Sequence, residues 1–366
     1  MVFLRPGGKP DASRPAGGHF TKKGQKMKTS YLLAGVAGAC FMASGTGLKA
    51  QDSSRFSYEL EIEIGADSVI RSDVAANELT DGYLSADATF EYALSDTVTA
   101  FMGLTLESVL APTGDRVFED LGLYVGELGL SVGFGNTTVS FGKISPAFGT
   151  AWDTAPGFYG TSYAEDYELG EAIGVMAAVE LGQGTLTATV FYADDTALSD
   201  SWGTRRGRNS VAAGGAGNTG KLNNVALQYD LELGQTTLHA GARLLSRGMG
   251  DAKDERGLSL GVTHAVNDDL SLMAEIAHFD GFGGTTDDAL YATLGLSYAQ
   301  GPITYNAAYS RRDITSTGVD NLFSVGLDYE VKPGVTLTSG YGFAREGGAD
   351  SHMLGAAVVF VLGGGV

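Results

Sequence analysis

The sequence predicts an all-β protein: an up-and-down antiparallel transmembrane β-barrel of about 16 strands with a long loop after strand 5. Three observations predict it. Apolar and polar residues alternate with a period of two from Ser54 onward, which is typical of strands with one apolar and one polar face. The links between these segments are alternately short and long. One link, Ile144–Gly170, is much longer than the others and is rich in aromatic, Gly and acidic residues.

The first fifty residues are predicted to be absent from the mature protein. Met27–Ala50 has a lysine, an apolar core and then small residues, which indicates a secretory signal peptide cleaved near Ala50. Residues 1–26 are basic and Gly/Pro-rich, and we interpret them as a disordered segment upstream of the true start. A lipoprotein anchored at Cys40 is the alternative, but Ala37 stands where a large aliphatic residue is expected. No cysteine follows Cys40, so no disulfide is expected in the mature chain.

The mature chain is strongly acidic. The first fifty residues hold eight Lys/Arg and one Asp, so their removal from 24 basic and 43 acidic residues leaves 16 against 42, a net charge of −26. A surface of this sign excludes nucleic acid as an expected partner and favours cations.

Sixteen alternating segments can be counted in the mature chain. In the first, Phe56, Tyr58 and Leu60 alternate with polar residues, among them Glu59 and Glu61. The segments begin near Ser54, Gly82, Thr97, Asp120, Thr137, Glu171, Thr185, Leu222, Thr236, Gly257, Leu270, Asp288, Ile303, Asn321, Val335 and Ser351. Tight turns at one end and longer polar links at the other are typical of outer-membrane barrels.

A soluble β-sandwich is the main structural alternative, because it also buries one apolar face of each strand. It would not require aromatic residues at the strand ends or so many charges on the opposite face. Aromatic girdles at the two membrane interfaces account for the first feature. The strand-end aromatic residues are Phe56, Tyr83, Tyr92, Tyr192, Tyr229, Tyr298, Tyr329, Tyr341 and Phe343.

Tyr124–Pro146, YVGELGLSVGFGNTTVSFGKISP, resembles the general-diffusion porins of Gram-negative outer membranes. In that family a strand, a tight Phe-Gly turn and a strand ending in Phe/Leu-Gly-Arg/Lys precede the constriction loop. The resemblance implies a sixteen-stranded homotrimer that admits small hydrophilic solutes. It also implies that Lys143 occupies a basic position at the loop entrance.

The chain departs from this family at two places. Family members end in an aromatic residue, whereas this chain has Phe360 followed by a Gly-rich tail to Val366, so either Phe360 serves as the assembly signal or the tail is unusual. The family also carries a basic ladder on its first strands. Here the inward positions of those strands carry the carboxylates of Glu59, Glu61, Glu63, Asp87, Glu91 and Glu107.

Charged residues in the long link and on the predicted inward faces are the candidate pore residues. The link carries Asp153, Glu165, Asp166, Glu168 and Glu171. If it lies in the lumen, its carboxylates add to the acidic wall, and rings of Asp and Glu favour cations. The alternative is a solvated loop tip. Predicted basic wall residues are Lys143, Arg243, Arg247 and Arg312, which either form a positive wall opposite the loop or neutralise neighbouring carboxylates.

The residues give no support for catalysis. Gly129–Gly133 and Gly257–Gly261 match G-x-S-x-G, but both lie in alternating segments and not in the strand-to-helix turn that a nucleophile elbow needs. The histidines lack metal-ligand spacing, so no cofactor or metal is expected, although the acidic loops could bind calcium.

The sequence therefore predicts an outer-membrane channel for passive diffusion of ions and small hydrophilic solutes, with a preference for cations. Membrane lipid and lipopolysaccharide are its expected surroundings, and a homotrimer its expected assembly. Two alternatives stay open. Phe148, Trp152, Phe158, Tyr159 and Tyr163 could form a stacking track for a sugar or an aromatic solute. The barrel could also be a structural or adhesive surface protein.

Overall fold

The computed structural model describes residues 55–365, so the predicted signal peptide and the segment before it lie outside the described residues. The described chain forms a closed antiparallel β-barrel of 16 long strands. They are β1 (Phe56–Ser72), β2 (Thr80–Ala93), β3 (Val98–Ser108), β4 (Leu121–Phe134), β5 (Thr137–Ile144), β6 (Ala172–Leu181), β7 (Gly184–Ala193), β8 (Asn224–Leu233), β9 (Thr236–Leu245), β10 (Glu255–Ala265), β11 (Leu270–Asp280), β12 (Asp288–Gln300), β13 (Ile303–Ile314), β14 (Gly318–Lys332), β15 (Val335–Glu346) and β16 (Ala349–Gly365).

The remaining elements are short and lie in the links. Two-residue strands occur at Arg116–Val117 and Trp202–Gly203. The α-helix α1 spans Ala151–Thr154, and 3₁₀ turns span Ala75–Asn77, Ala164–Tyr167, Ala197–Ser199, Val211–Ala213 and Phe282–Gly284. Within residues 55–365 no helix has the length and apolar character needed to cross a membrane.

Each strand pairs with the next one in the chain, and β1 also pairs with β16, which closes the sheet. The predicted topology is confirmed, and each predicted strand start lies within three residues of the observed one. The links also alternate as predicted. At one end, turns such as Gly135–Asn136 and Gly182–Gln183 join the strands, with Gly135 and Gly182 at φ +64° and +66°. Glycine reaches this left-handed region without the clash that a Cβ would cause.

Side chains divide between two faces as the period of two requires. Leu258, Leu294 and Val325 lie on the outer face and are 62%, 55% and 41% exposed. Their neighbours on the opposite face, including Ser259 and Thr293, are buried in the barrel interior. The arrangement is inverted relative to a soluble protein, because the outer apolar face contacts lipid.

Tyr92, Tyr298 and Tyr329 lie exposed on the outer face near strand ends, as an aromatic girdle requires. Tyr83 does not belong to such a girdle. It has the parity of the inward residues of β2, and its hydroxyl donates a hydrogen bond to Glu63 inside the barrel.

The Gly-rich C-terminal residues extend the last strand. Phe360 pairs with Ile62, and Gly363, Gly364 and Gly365 continue the same ladder along β1. Val366 lies outside the described residues. The tail is therefore part of the closure between the first and last strands.

We expect Leu294→Arg to destabilise the folded barrel by about 2–4 kcal/mol, because Leu294 is exposed near the middle of β12 and a guanidinium there would face the centre of the bilayer. Urea unfolding of the protein in lipid vesicles measures the change. Leu233→Arg is the control, because Leu233 is equally outward but ends β8, where the cost falls to about 0–1 kcal/mol. Equal effects of the two substitutions would contradict the membrane orientation.

Candidate functional site: a loop packed inside the barrel

The chain leaves the wall after β5 and returns at β6. We call residues 145–171 the inner loop. β5 pairs with β4 only from Leu128 to Phe134, so the preceding residues of β4 extend beyond the end of β5. The β7–β8 link, residues 194–223, covers part of this free edge, because Trp202 and Gly203 pair with Leu123 and Gly122. The wall is thus completed by a segment from elsewhere in the chain.

Glycines on the inward face of the opposite wall make room for the inner loop. A Cβ on Gly355 of β16 would lie 2.1 Å from the ring of Phe158, and one on Gly340 of β15 would lie 2.6 Å from the Cβ of Phe158. A Cβ on Gly295 of β12 would lie 2.4 Å from Pro156. Contacts this short are impossible, so glycine is required where the loop approaches the wall. These positions place the loop in the lumen, as predicted from the sequence.

Aromatic rings form the core between the inner loop and the wall. Phe148, Phe158 and Tyr167 of the loop are 0–1% exposed. The ring of Tyr167 lies 5.7 Å from that of Phe279 on β11 and 5.2 Å from that of Tyr291 on β12. Edge-to-face and tilted pairs at these distances add to the free energy gained by burial. The loop is consequently a packed part of the fold.

Glu275 on β11 anchors both halves of the inner loop. Its carboxylate accepts hydrogen bonds from the Thr150 backbone N–H at 2.6 Å, the Thr150 Oγ1 at 3.0 Å and the Ala151 N–H at 3.3 Å. It also accepts one from the Tyr167 Oη at 2.5 Å. Glu275 is buried, and these donors satisfy an acceptor that would otherwise be costly to bury.

Two arginines on the inward face of the wall bind the inner loop. Arg243 of β9 donates to the backbone carbonyl of Tyr167 at 2.5 Å, and its Nε donates to Glu255 of β10 at 2.8 Å. Arg312 of β13 donates to Asp166 of the loop at 3.0 Å. Arg312 also pairs with Asp320 at 2.8 Å and with Glu346 at 3.4 Å. Both arginines therefore contact the inner loop and also pair with carboxylates of the wall.

The tip of the loop reaches β1, where the Tyr159 Oη donates to Asp67 at 2.6 Å. Burial raises the pKa of Tyr159 above its ordinary value and that of Tyr167 well above it. Both hydroxyls therefore stay protonated and keep donating to their carboxylate partners. Together with Glu275, Arg243 and Arg312, this bond attaches the loop to the wall from β9 round to β1.

The predicted acidic residues of the loop occupy different environments. Asp153 is buried in α1, and Glu165 accepts a hydrogen bond from the Thr161 Oγ1 at 2.6 Å. Asp166 is exposed and is bound by Tyr291 and Arg312, each at 3.0 Å. Glu168 is half-buried, and Glu171 ends the loop in an ion pair with Lys143.

The predicted acidic wall residues lie on the inward faces of β1, β2 and β3. Glu59, Glu61 and Glu63 pair across the sheet with Thr89, Asp87 and Ser85, all of inward parity. Asp87 accepts from the Thr105 Oγ1 at 2.6 Å, and Glu107 accepts from the Tyr124 Oη at 2.5 Å. Glu91 lies near the other end of β2. Of these strands, β1 carries one anchor of the loop, the Tyr159–Asp67 bond, and β2 and β3 belong to the arc of wall that the anchors described above leave uncovered.

The two other predicted basic residues, Lys143 and Arg247, occupy different environments. Lys143 is 1% exposed, and its Nζ lies 2.8 Å from Glu171, 2.9 Å from Asp194 and 2.9 Å from the carbonyl oxygen of Leu198. Arg247 is exposed and lies two residues beyond the end of β9, where the alternation that predicted an inward side chain has stopped.

The strings that match an enzyme motif lie in strands, as the sequence indicated. Gly129–Gly133 is in β4 and Gly257–Gly261 is in β10, so neither has the strand-to-helix turn of a nucleophile elbow. Among residues 55–365 no three His, Cys, Asp or Glu side chains are grouped in a way that could hold a metal ion.

Sequence reasoning missed several residues that hold the loop. Glu275 and Tyr291 have inward parity in strands that were predicted correctly, so the alternation could have marked them as lumen residues. Asp67 follows the predicted acidic face of β1 in the same way. Arg206, which binds Glu171, lies in the β7–β8 link, where no periodicity exists to assign its direction.

Gly355→Ala should displace the loop tip, because the new Cβ would overlap the ring of Phe158. We expect a loss of about 1–3 kcal/mol in the free energy of unfolding, as for other overpacked cores, and faster cleavage of the inner loop by added protease. Gly363→Ala on the same strand is the control, because its Cβ would meet only the Tyr58 carbonyl oxygen at 3.5 Å. Unchanged stability and cleavage in Gly355→Ala would contradict this packing.

Comparison with known proteins gives matches of structure only. No protein-family model and no curated protein matches the sequence. The solved outer membrane channel DcaP of Acinetobacter baumannii is similar, with a TM-score of 0.62 and 12% identity over 86% of this chain and 99% of that one. A loop-deletion mutant of OmpT, an outer membrane protein of Vibrio cholerae, gives 0.59 and 12% over 85% and 100%. A mutant of the Rh. blastica porin gives 0.55 and 16% over 84% and 100%.

Identities this low establish the fold and nothing finer. All three proteins are covered over 99% or more of their length, so the likeness extends over the whole barrel. The resemblance read from Tyr124–Pro146 is confirmed at this level: the chain has the β-barrel fold of the outer-membrane porins.

Proposed function

We propose that this protein is an outer-membrane channel through which ions and small hydrophilic solutes diffuse passively, with a preference for cations. One observation carries the proposal: a loop is packed against one side of a closed barrel, and the uncovered arc of wall carries carboxylates. A polar lumen narrowed by a loop is a passage for water-soluble solutes.

The sign of the selectivity follows from the pairing of the charges. Arg243, Arg312 and Lys143 each have at least one carboxylate partner within 3 Å, so their positive charge is largely compensated. Asp87 and Glu107 on the uncovered arc have hydroxyl donors among their partners. Carboxylates in a narrow passage with low-dielectric walls concentrate cations and repel anions.

The alternative of a stacking track for sugars or aromatic solutes loses its basis. Phe148, Phe158, Tyr159 and Tyr163 are 0–2% exposed, because their rings fill the space between the loop and the wall. Trp152 is partly buried, and its indole N–H donates to the carbonyl oxygens of Phe148 and Gly149 at 3.1 Å. One partly exposed ring does not make a track.

Assembly and surroundings follow from the same proposal. The shared fold favours a homotrimer in the outer membrane, with lipid and lipopolysaccharide around it, small hydrophilic solutes in its lumen and no nucleic acid among its partners. Native mass spectrometry of the protein released from detergent tests whether it is a trimer.

Calcium binding to the acidic loops stays a prediction, which calorimetric titration of the purified protein with Ca²⁺ would test.

Purified protein in planar bilayers should give stepwise openings, and its reversal potential in a KCl gradient should have the sign of a cation-preferring channel. The inward carboxylates are the reason. A structural or adhesive barrel would give no openings at all, and firm chloride preference would contradict the charge argument while leaving the channel intact.

Asp87→Asn with Glu107→Gln should weaken the cation preference while keeping both hydrogen-bond acceptors. One charge about 6 Å from an ion in water is worth about 0.7 kcal/mol, so the K⁺/Cl⁻ permeability ratio should fall at least about threefold. Asp313→Asn is the control, since Asp313 is half-buried near the end of β13 and pairs with Arg311. An unchanged K⁺/Cl⁻ permeability ratio in the double variant would show that Asp87 and Glu107 do not determine the selectivity.

A further inference from the structure

We propose that Arg206 is a positioning residue for the inner loop: it reaches from the β7–β8 link and holds the C-terminal end of the loop in place. The proposal rests on the channel function proposed above. It concerns a contact between two different links, neither of which belongs to the barrel sheet at this point.

The contact is made at Glu171, the last residue of the inner loop. Arg206 donates through Nη1 to the Glu171 Oε1 at 2.8 Å and through Nη2 to the Glu171 Oε2, a bidentate pair. Lys143, at the end of β5, binds the same carboxylate at 2.8 Å. Bidentate arginine–carboxylate pairs combine charge with fixed geometry. One carboxylate therefore ties together three segments of the chain.

Glu171 is also a residue that needs to be held. Its φ is +51°, in the left-handed region that residues other than glycine, Asn and Asp rarely occupy. Such a conformation persists only where surrounding contacts fix it. The backbone carbonyl of Glu171 accepts a hydrogen bond from the Asp194 N–H at 2.9 Å, so side chain and backbone are both bound by the region that carries Arg206.

Arg206 itself is held on a rigid support. Its guanidinium lies 3.8 Å from the ring centroid of Tyr124, whose hydroxyl donates to Glu107 in the wall. Its Nε donates to the carbonyl oxygen of Ser199 at 3.0 Å. The pairing of Trp202 and Gly203 with β4 attaches the same link to the sheet. Because these contacts fix Arg206 relative to the wall, its ion pair with Glu171 also fixes the end of the loop relative to the wall.

The middle of the inner loop has other anchors, namely Glu275, Arg243 and Arg312, so loss of Arg206 should not detach the whole loop. It should release the last residues before β6, where Lys143 would be the remaining cation at the Glu171 carboxylate, shared with Asp194, and the Asp194 N–H would remain the donor to the Glu171 backbone. A mobile segment at the edge of the passage blocks current intermittently. The expected signature is therefore gating, with the barrel itself unaltered.

Single-channel recording of Arg206→Gln tests this directly. We expect closures to be roughly fivefold more frequent at a given voltage, the change in an equilibrium that about 1 kcal/mol produces, with unchanged full-open conductance. Arg206→Lys should be intermediate, because it keeps the charge and loses the bidentate geometry. Arg205→Gln is the matched control, since Arg205 pairs with Asp200 inside the link and is 66% exposed.

Coupling and loop dynamics give independent readouts. Glu171→Gln should reproduce the closures, and the double variant should be no worse than Glu171→Gln alone, because that substitution already removes the ion pair with Arg206. Hydrogen exchange of the amides of residues 168–171 should accelerate in Arg206→Gln and not in Arg205→Gln. Identical gating and exchange in Arg206→Gln and the wild type would overturn the proposal, whereas absence of channels in the wild type would overturn the channel function instead.

Discussion

A sheet that crosses a membrane must satisfy every backbone N–H and C=O within itself, because the bilayer core offers no water to bind them. The pairing of β16 with β1 meets this requirement for the barrel as a whole. The early end of β5 violates it locally, since β4 extends beyond the last residue that β5 can pair with. Trp202 and Gly203 of the β7–β8 link partly fill the free edge. The inner loop leaves part of the β4 edge unpaired when it departs from the sheet, and the β7–β8 link supplies backbone partners for two residues of that edge.

An acidic loop inside an acidic barrel requires that some carboxylates act as anchors. Glu275 and Asp67 do so by accepting hydrogen bonds from N–H and O–H groups of the loop. Arg243 and Arg312 contribute the opposite sign from the wall behind the loop. Burial of aromatic rings against wall glycines then adds the apolar stabilisation. The loop is held by packing and by neutral donors as much as by ion pairs, so high salt alone should leave it in place.

Strand positions could be predicted because a shift of one residue would turn every apolar side chain from lipid into the lumen. The same parity rule placed Glu59, Asp87 and Arg243 on inward faces. The parity rule does not predict which residues from distant parts of the sequence contact each other inside the barrel. The contact between Thr150 and Glu275 joins residues 125 positions apart, and nothing local in either segment indicates the other. Arg247 lies two residues beyond the end of β9, so the alternation of that strand does not assign the direction of its side chain.

The distribution of partners divides the lumen charges into two groups with different physical roles. Carboxylates bound by arginine or lysine, such as Glu255, Asp320 and Glu171, are compensated and contribute little field beyond their own pair. Carboxylates bound by hydroxyl groups, such as Asp87, are oriented by a neutral donor that adds no opposing charge. Under the proposed function, a permeating cation would meet oriented oxygen atoms on the uncovered arc, while the positive charges of Arg243 and Arg312 are compensated by their carboxylate partners.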